Sequence, residues 1–299
     1  MQGLYWEINI FAIITFKPNF MKITKLITFL LLTAIMASCT SGGSGNGSST
    51  TTNLTLNGAN VVLSGAMAQR GDDTFVISAN LPNSESIQLE FNKYGNLAEF
   101  SYWTNTNVYK NFQYYKTNYF TFSLISLNES AHTVKVSYSG TLYADENDMT
   151  SATKQVSGTF DLPYTVTSPL LTGLGLNCKI AGSSWYETQF WDNGFGGAVD
   201  RKYINDDDKM IIMRFGDQTI SPGTYTFNTA SSNKVQMAKY NTTTHTYTEY
   251  NAVGTLTITS NSAPISIRII EGTFSFNAIN PSNSADEVQV TNGRFKTNF

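Results

Sequence analysis

Apolar and polar residues alternate along most of this chain, and the alternation predicts strands. In "HTVKVSYSGTLYA" the residues Val134, Val136 and Tyr138 fall at every second position and share one face of an extended segment. "EGTFSFNA" repeats the pattern through Phe274 and Phe276. "SIQLEF", from Ser86, and "MIIMRF", from Met210, are short apolar runs of strand length. Turn-forming clusters separate such runs, among them "KYGN" at Lys93, "DNGFGG" at Asp192 and "SPGT" at Ser221. No stretch sustains a helical period. The expected fold is all-β, made of antiparallel strands arranged as sandwiches or partly closed barrels.

The pattern occurs twice. "TLNGANV" matches "KIAGSSW", and "SIQLEF" matches "MIIMRF"; Gly58 to Phe91 and Gly182 to Phe215 both span 33 positions. "SGTLYADEN" matches "VGTLTITSN", and "VSGTFDLPY" matches "IEGTFSFNA"; Gly140 to Gly158 and Gly254 to Gly272 both span 18. Two ungapped spacings argue for an internal repeat. Tandem β domains are therefore expected at 53–168 and 172–299, joined by the proline-bearing "LPYTVTSPLLTG". Between the matched blocks the first copy is longer, because Phe91 to Gly140 spans 49 positions and Phe215 to Gly254 spans 39. Glycine weakens a strand, so its recurrence before Thr-Leu and Thr-Phe points to a positive φ at a bulge or to a neighbour too close for a Cβ.

The alternation is absent before residue 53. Lys22 and Lys25 precede an apolar core, Leu26 to Met36, and small Ala37 and Ser38 lead to Cys39. That order is a secretory signal, and its core is shorter than the roughly 20 apolar residues of a membrane span. "MASC" resembles a bacterial lipobox, which implies diacylglyceryl transfer to the Cys39 thiol, cleavage before it and acylation of the new amine with a chain such as palmitate. Residues 21–38 are read as the signal, 39–52 as a flexible Ser/Gly tether with nothing apolar to bury, and Met21 as the start, leaving 1–20 as an upstream extension.

Composition narrows the partners. Removing residues 1–38 takes three of 19 basic and one of 22 acidic residues, leaving 16 against 21, a net charge of −5. No basic patch suits nucleic acid. Cys178 is then the sole free thiol, so no internal disulfide is expected, nor a cysteine metal cluster.

"GTLTI", "EGTFSFNA" and "VQVTNGRF" resemble a family of Bacteroidota envelope lipoproteins of unassigned function, whose domain opens IxGxxW and ends GTFSF…VTNGRF. Ile180, Gly182 and Trp185 fit the opening, and Thr291 to Phe295 fit the end. The first copy departs, with Val61 at the tryptophan position and no TNGRF after Phe160. The resemblance implies an envelope location and an all-β domain; together with the lipobox, the expectation is a lipid anchor in the outer membrane, on the periplasmic or the surface face. It brings no catalytic residues.

Candidate chemistry is sparse. His132 and His245 sit in strand-like, Thr-rich stretches without a nucleophile motif, and neither G-x-S-x-G nor H-E-x-x-H occurs. No catalytic residues, metal ligands or cofactor are expected, and an enzyme is not. The acidic stretches at Asp145 and at Asp206, Asp207 and Asp208 read as solvated turns. One tract stands out: "EFSYWTNTNVYKNFQYYKTNYFTF", where copy one is longer, carries Trp103, Tyr109, Tyr114 and Tyr115 as candidate ligand-binding rings. The expected role is binding or envelope structure, with membrane lipid as one partner and a glycan or an envelope protein as another; the alternative is a glycan-binding or glycan-processing accessory lipoprotein using tract 100–122. Cys39→Ser is expected to stay unprocessed or to leave the membrane fraction, while translation from Met21 alone supports export. Fractionation and immunoblotting read both, and a processed Cys39→Ser chain retained in membranes would contradict the anchor.

Overall fold

The structure is a computed structural model that describes residues 52–193, 197–264 and 267–298. The upstream extension 1–20, the signal 21–38, Cys39 and the tether through residue 51 lie outside the described residues. The described residues fall within one compact unit, Ser49–Phe299. The all-β expectation holds: they form 21 strands and two single-turn 3-10 segments, Pro82–Ser84 and Lys116–Asn118. No helix among them is long and apolar enough to cross a membrane.

The first half contributes β1 (Asn53–Leu56), β2 (Ala59–Val61), β3 (Ser64–Gly71), β4 (Thr74–Asn80), β5 (Ser86–Asn92), β6 (Leu97–Trp103), β7 (Val108–Asn111), β8 (Phe120–Asn128), β9 (Thr133–Tyr143) and β10 (Thr153–Thr167). They form one sheet of ten strands, ordered β2-β1-β10-β3-β4-β5-β6-β7-β9-β8, that closes where β10 also pairs with β9. Closure depends on the length of β10. Its residues 153–163 pair with β9, while Val156 to Thr159 pair with β1 and Tyr164 to Thr167 pair with β3. The β10–β3 pairing is parallel, the exception in a sheet otherwise antiparallel. Alternating residues such as Phe75 and Ile77 on β4, Leu89 and Phe91 on β5, and Val134 and Val136 on β9 fill the interior.

The second half contributes β11 (Gly175–Ile180), β12 (Ser183–Tyr186), β13 (Gln189–Asp192), β14 (Val199–Ile204), β15 (Lys209–Phe215), β16 (Gly223–Phe227), β17 (Lys234–Asn241), β18 (Thr246–Glu249), β19 (Asn251–Ser262), β20 (Ile269–Asn280) and β21 (Asn283–Asn298). Two sheets, β12-β11-β21-β20-β19-β16 and β13-β14-β15-β17-β18, face each other. Ile211, Met213 and Phe215 from one meet Leu256, Phe274 and Phe276 from the other in a common core. Met210 to Met213 is continuously apolar because both faces of the strand are covered there. Met210 and Ile212 point the other way, into a smaller cluster with Ile204, Ala238, Trp191 and Tyr247.

The internal repeat is physical in its first part. Leu54 faces Val61 as Cys178 faces Trp185, Ala68 faces Ile77 as Asp192 faces Arg201, and Phe75 faces Phe91 as Val199 faces Phe215. Each matched pair keeps the same sequence offset. The matched first hairpins turn through Asn57 (φ 50°) and Gly58 (φ 81°), and through Ala181 (φ 50°) and Gly182 (φ 82°), the two left-handed residues of a tight hairpin. The match ends at the GT motifs. Gly140 faces Val156, which would set Gly254 opposite Ile270, yet Gly254 faces Phe276. The second half also has a strand, β21, that the first half lacks. It is inserted between β11 and β20, whereas β1 lies directly against β10. The TNGRF motif is a bulge in that strand: pairing skips between Phe274 and Phe276, and Asn292 takes φ 55°.

The repeated glycines owe their place to close approach. Gly140, Gly158, Gly254 and Gly272 all lie outside the left-handed region. Each faces an aromatic residue across the ladder: Phe120, Tyr138, Phe276 and Phe295 respectively. Gly293 likewise faces Phe274. A Cβ on Gly272 would lie 2.7 Å from the Phe295 ring and would also meet the Thr257 carbonyl. Backbone cannot give way as a side chain can. Gly272→Val is therefore expected to lose about 1–3 kcal/mol by overpacking, although valine is the better strand former. Thr273 is exposed, so Thr273→Val is expected to stay within about 0.5 kcal/mol of the parent. Urea melts of both variants decide, and a Gly272→Val chain as stable as the parent would overturn the close-approach account.

Candidate functional site

The extra length of the first copy lies against the second. After β7 the chain runs through "FQYYKTNY", residues 112–119. Phe112 packs edge-on to Tyr114, Tyr119 and Tyr143 of its own half and to Tyr240 of the other. Tyr114 stacks on Tyr240 at 5.6 Å and meets Trp191 and Tyr247 edge-on. Burial among these rings pushes the Tyr114 and Tyr247 hydroxyls up. On a neighbouring part of the junction Tyr94 stacks on Tyr186, with ring centroids 3.5 Å apart.

A buried carboxylate ties the halves together. Asp206 accepts hydrogen bonds from the Leu97 amide (2.9 Å) and from Asn96 Nδ2 (2.9 Å), while its carbonyl accepts from the Thr117 amide (2.9 Å). Lys116 is also buried and donates to the Asn205 carbonyl (3.4 Å). Burial raises the Asp206 carboxyl above the usual range; the Leu97 and Asn96 donors and the Lys116 charge pull it back. The expectation of a solvated turn fails at Asp206, because the loop before β15 is covered by the first half. Hydrogen bonds to a charged group contribute about 1.5–3 kcal/mol each, and an unpaired buried partner costs comparably.

Beside these contacts lies a polar cleft of about 400 Å³, lined by Tyr115 from the first half and by residues of β17, β18, β20 and β21, with Thr242, Tyr250 and the loop before β15. Asp286 anchors one side. Its Oδ2 accepts from the Tyr250 hydroxyl (2.6 Å) and from Asn280 Nδ2 (2.9 Å). Those bonds hold the Asp286 carboxyl below its ordinary value, while burial first and then Asp286 push Tyr250 up to about 12. Asp208 lies on the lining with Lys209 Nζ 2.7 Å from Oδ1 and Lys239 Nζ 3.7 Å from Oδ2. Tyr115 reaches the cleft in a left-handed conformation, φ 43°. Such a backbone is uncommon for a bulky residue and costs on the order of 1–2 kcal/mol.

The four candidate rings have separate fates. Trp103 ends β6 and is 38% exposed. Its neighbour Tyr102 points the other way, into the core, where it stacks with the buried Tyr109 at 6.0 Å. Tyr114 is spent on the junction. Tyr115 alone of the four lines the cleft. Asp286, Asn280 and Tyr250 were not singled out from sequence, since "NSADEV" and "EYN" match no motif. The histidines, expected on strands, sit in turns with φ 51° at His132 and 54° at His245. His245 Nδ1 lies 3.1 Å from the Tyr240 hydroxyl. Asp145 and Asp148 cap the exposed tip between β9 and β10 through bonds to Asn147 and Thr150. No cluster of three His, Cys, Asp or Glu side chains fit to hold a metal occurs among the described residues. Cys178 is core packing, its thiol pushed up to about 12 by burial.

The architecture defines the class as an all-β protein pairing a partly closed barrel with a two-sheet sandwich. A family profile described as "Domain of unknown function (DUF6252)" matches residues 205–297, which spans β15 to β21 and the bulge at Asn292. No curated protein and no solved structure matches the chain.

A second acid, half-buried but with a buried carboxylate oxygen, lies near the junction. The Glu187 carbonyl accepts from Asn92 Nδ2 (3.2 Å) of the first half, and its carboxylate Oε2 is buried without a hydrogen-bond partner. Burial pushes this carboxyl up to about 7, against the pull of the Arg201 charge. Arg201 itself is bidentate to Asp192 (2.5 and 2.6 Å) and lies over the Phe190 ring. A raised carboxyl is protonated in the folded chain and ionised in the unfolded one at intermediate pH. Its favourable contribution is full at low pH and is lost as pH rises through about 7. Glu187→Gln is therefore expected to gain stability over the parent between pH 5 and pH 8, by up to about 3 kcal/mol. Urea midpoints at the two pH values test this, and a difference that does not change with pH would rule out the raised carboxyl.

Proposed function

We propose that this protein is a lipid-anchored recognition module of the cell envelope, held to the outer membrane through Cys39 and presenting a binding cleft where its two β halves meet. The cleft carries the reading. It is built from both halves, its floor is organised by hydrogen bonds before any ligand arrives, and the junction beneath it is packed with aromatic rings. The order of basic start, apolar core, small exit residues, Cys39 and glycine-rich tether supports the anchor. Several acyl chains, each contributing about 0.8 kcal/mol per buried CH₂, make a stable attachment.

Recognition is favoured over catalysis. Acid catalysis by a carboxylate pair needs one member held protonated near neutral pH. Asp286 is shifted the opposite way, by the Tyr250 and Asn280 donors. Asp286 is thus unsuited to the role of general acid, and its fixed carboxylate suits the role of acceptor.

Metabolic labelling with a palmitate analogue tests the anchor. Label is expected in the parent protein in isolated outer membranes and is expected to vanish in Cys39→Ala. An unlabelled parent chain, or label that survives in Cys39→Ala, would overturn the anchored reading.

A further inference from the structure

We propose that the junction cleft is a binding site for an uncharged saccharide, with Tyr115 as the platform for a sugar ring and the Asp286–Asn280 pair as the reader of its hydroxyls. This rests on the reading of the protein as a recognition module and names the ligand class of that same cleft.

Charge comes first. Asp208 and Asp286 share the lining with Lys239, and Lys209 flanks Asp208. Two carboxylates repel a phosphate or a sulfate. Lys239, on the same lining, opposes a bound amine or metal ion. Lys209 is shared with Asp207 (3.1 Å), so charges of both signs meet here with a slight acidic excess; together with abundant polar atoms they favour a neutral ligand that both donates and accepts, and a lining this polar excludes an acyl chain.

Donor and acceptor placement narrows the class further. Both hydrogen bonds that position Asp286 end on Oδ2, so Oδ1 keeps its acceptor capacity. Asn280 donates to Asp286 through Nδ2 and offers its Oδ1 to Ser282 N (2.9 Å), so the pair is set before binding. A carboxylate oxygen beside an amide matches a vicinal diol, in which each hydroxyl donates once and accepts at least once. Preorganisation of this kind reduces the ordering cost of binding.

Tyr115 supplies the third element. Its left-handed backbone is held by the turn that follows: Asn118 N donates to the Tyr115 carbonyl (3.1 Å), and Thr117 N donates to the carbonyl of Asp206 (2.9 Å). The junction thus keeps a half-buried ring in a conformation it would not adopt alone. A tyrosine ring is flat and apolar on its faces, which suits the C–H face of a pyranose. A cleft of about 400 Å³ falls within the range of small-molecule sites, so it accepts one or two sugar units rather than a long chain lying flat.

The test uses the full chain, purified in detergent and applied to an array of neutral oligosaccharides of gluco, manno, galacto and xylo configuration. Heparin oligosaccharides and phosphorylated sugars serve as charged comparisons, and separate panels of cell-envelope and plant-polysaccharide fragments distinguish the source. The parent is expected to bind at least one neutral oligosaccharide in preference to the charged ones. Asp286→Asn and Tyr115→Gly are each expected to weaken that binding at least tenfold, and Trp103→Ala is expected to leave it within twofold. Glycine adopts the left-handed conformation freely, so Tyr115→Gly removes the ring without straining the turn and decides the matter if Asp286→Asn fails to fold. Failure of the parent to bind any neutral saccharide, a preference for the charged ligands, or full binding by both cleft variants would each overturn the proposal. None of these outcomes touches the palmitate result, so loss of the saccharide site and loss of the anchored reading remain distinguishable.

Discussion

Asp206 is the constraint on which the two halves depend. A carboxylate that is 6% exposed must find donors, and it finds them in the other half of the chain, at Leu97 N and Asn96 Nδ2. Its carbonyl receives Thr117 N at the same time, so one residue positions both β6 and the turn that carries Tyr115. Buried charge is tolerated only with good geometry, because desolvation otherwise outweighs attraction. That requirement makes the junction specific. The aromatic rings around Tyr114 and Tyr240 supply apolar area, but area alone would permit sliding. The cleft at Tyr115 inherits its shape from this arrangement.

The two halves share part of their strand pairing. Three strand pairings keep their register between the copies. The sheets then separate in design. The second half adds β21 and opens into two facing sheets, while the first half lets β10 pair with β9, β1 and β3 and closes on itself. Within the longer stretch of the first copy, residues from Phe112 to Thr117 reach across, beside Asn92, Tyr94, Asn96 and Leu97. The halves thus share three pairings within different architectures, and the longer stretch of the first adds to their contact.

The same ladders show why glycine persists in strands. An aromatic ring opposite a glycine covers the backbone that the missing side chain exposes, and the ring in turn gains a flat surface to lie on. Six such pairs occur among the described residues, from Gly140 with Phe120 to Gly293 with Phe274, and Gly254 has a ring on each side, Phe276 and Phe227. They let long strands pack closely at points where a Cβ would meet a carbonyl or a ring. Their cost in strand propensity is offset by burial of Phe274, Phe276 and Phe295 in the sandwich core.

Local pattern determined much of this protein. Alternation at Val134, Val136 and Tyr138 announced a strand with one buried face, and the spacings from Gly58 and Gly182 announced matching hairpins, because side-chain periodicity and tight turns are properties of a few consecutive residues. The lipobox reading of Cys39 belongs to the sequence alone, since that residue lies outside the described part of the structure. Tertiary structure decided the rest. Trp103, Tyr109, Tyr114 and Tyr115 look alike on paper, yet one ring is exposed, one is core, one is junction and one is cleft. Asp206 and Asp208 stand two residues apart, and packing buried the first while leaving the second at the cleft. Asp286, Asn280 and Tyr250 carry no motif, and they meet only because β19, β20 and β21 run side by side. Which polar group is covered, and which is left to a ligand, is a property of surfaces brought together from distant parts of the chain, and no local pattern records it.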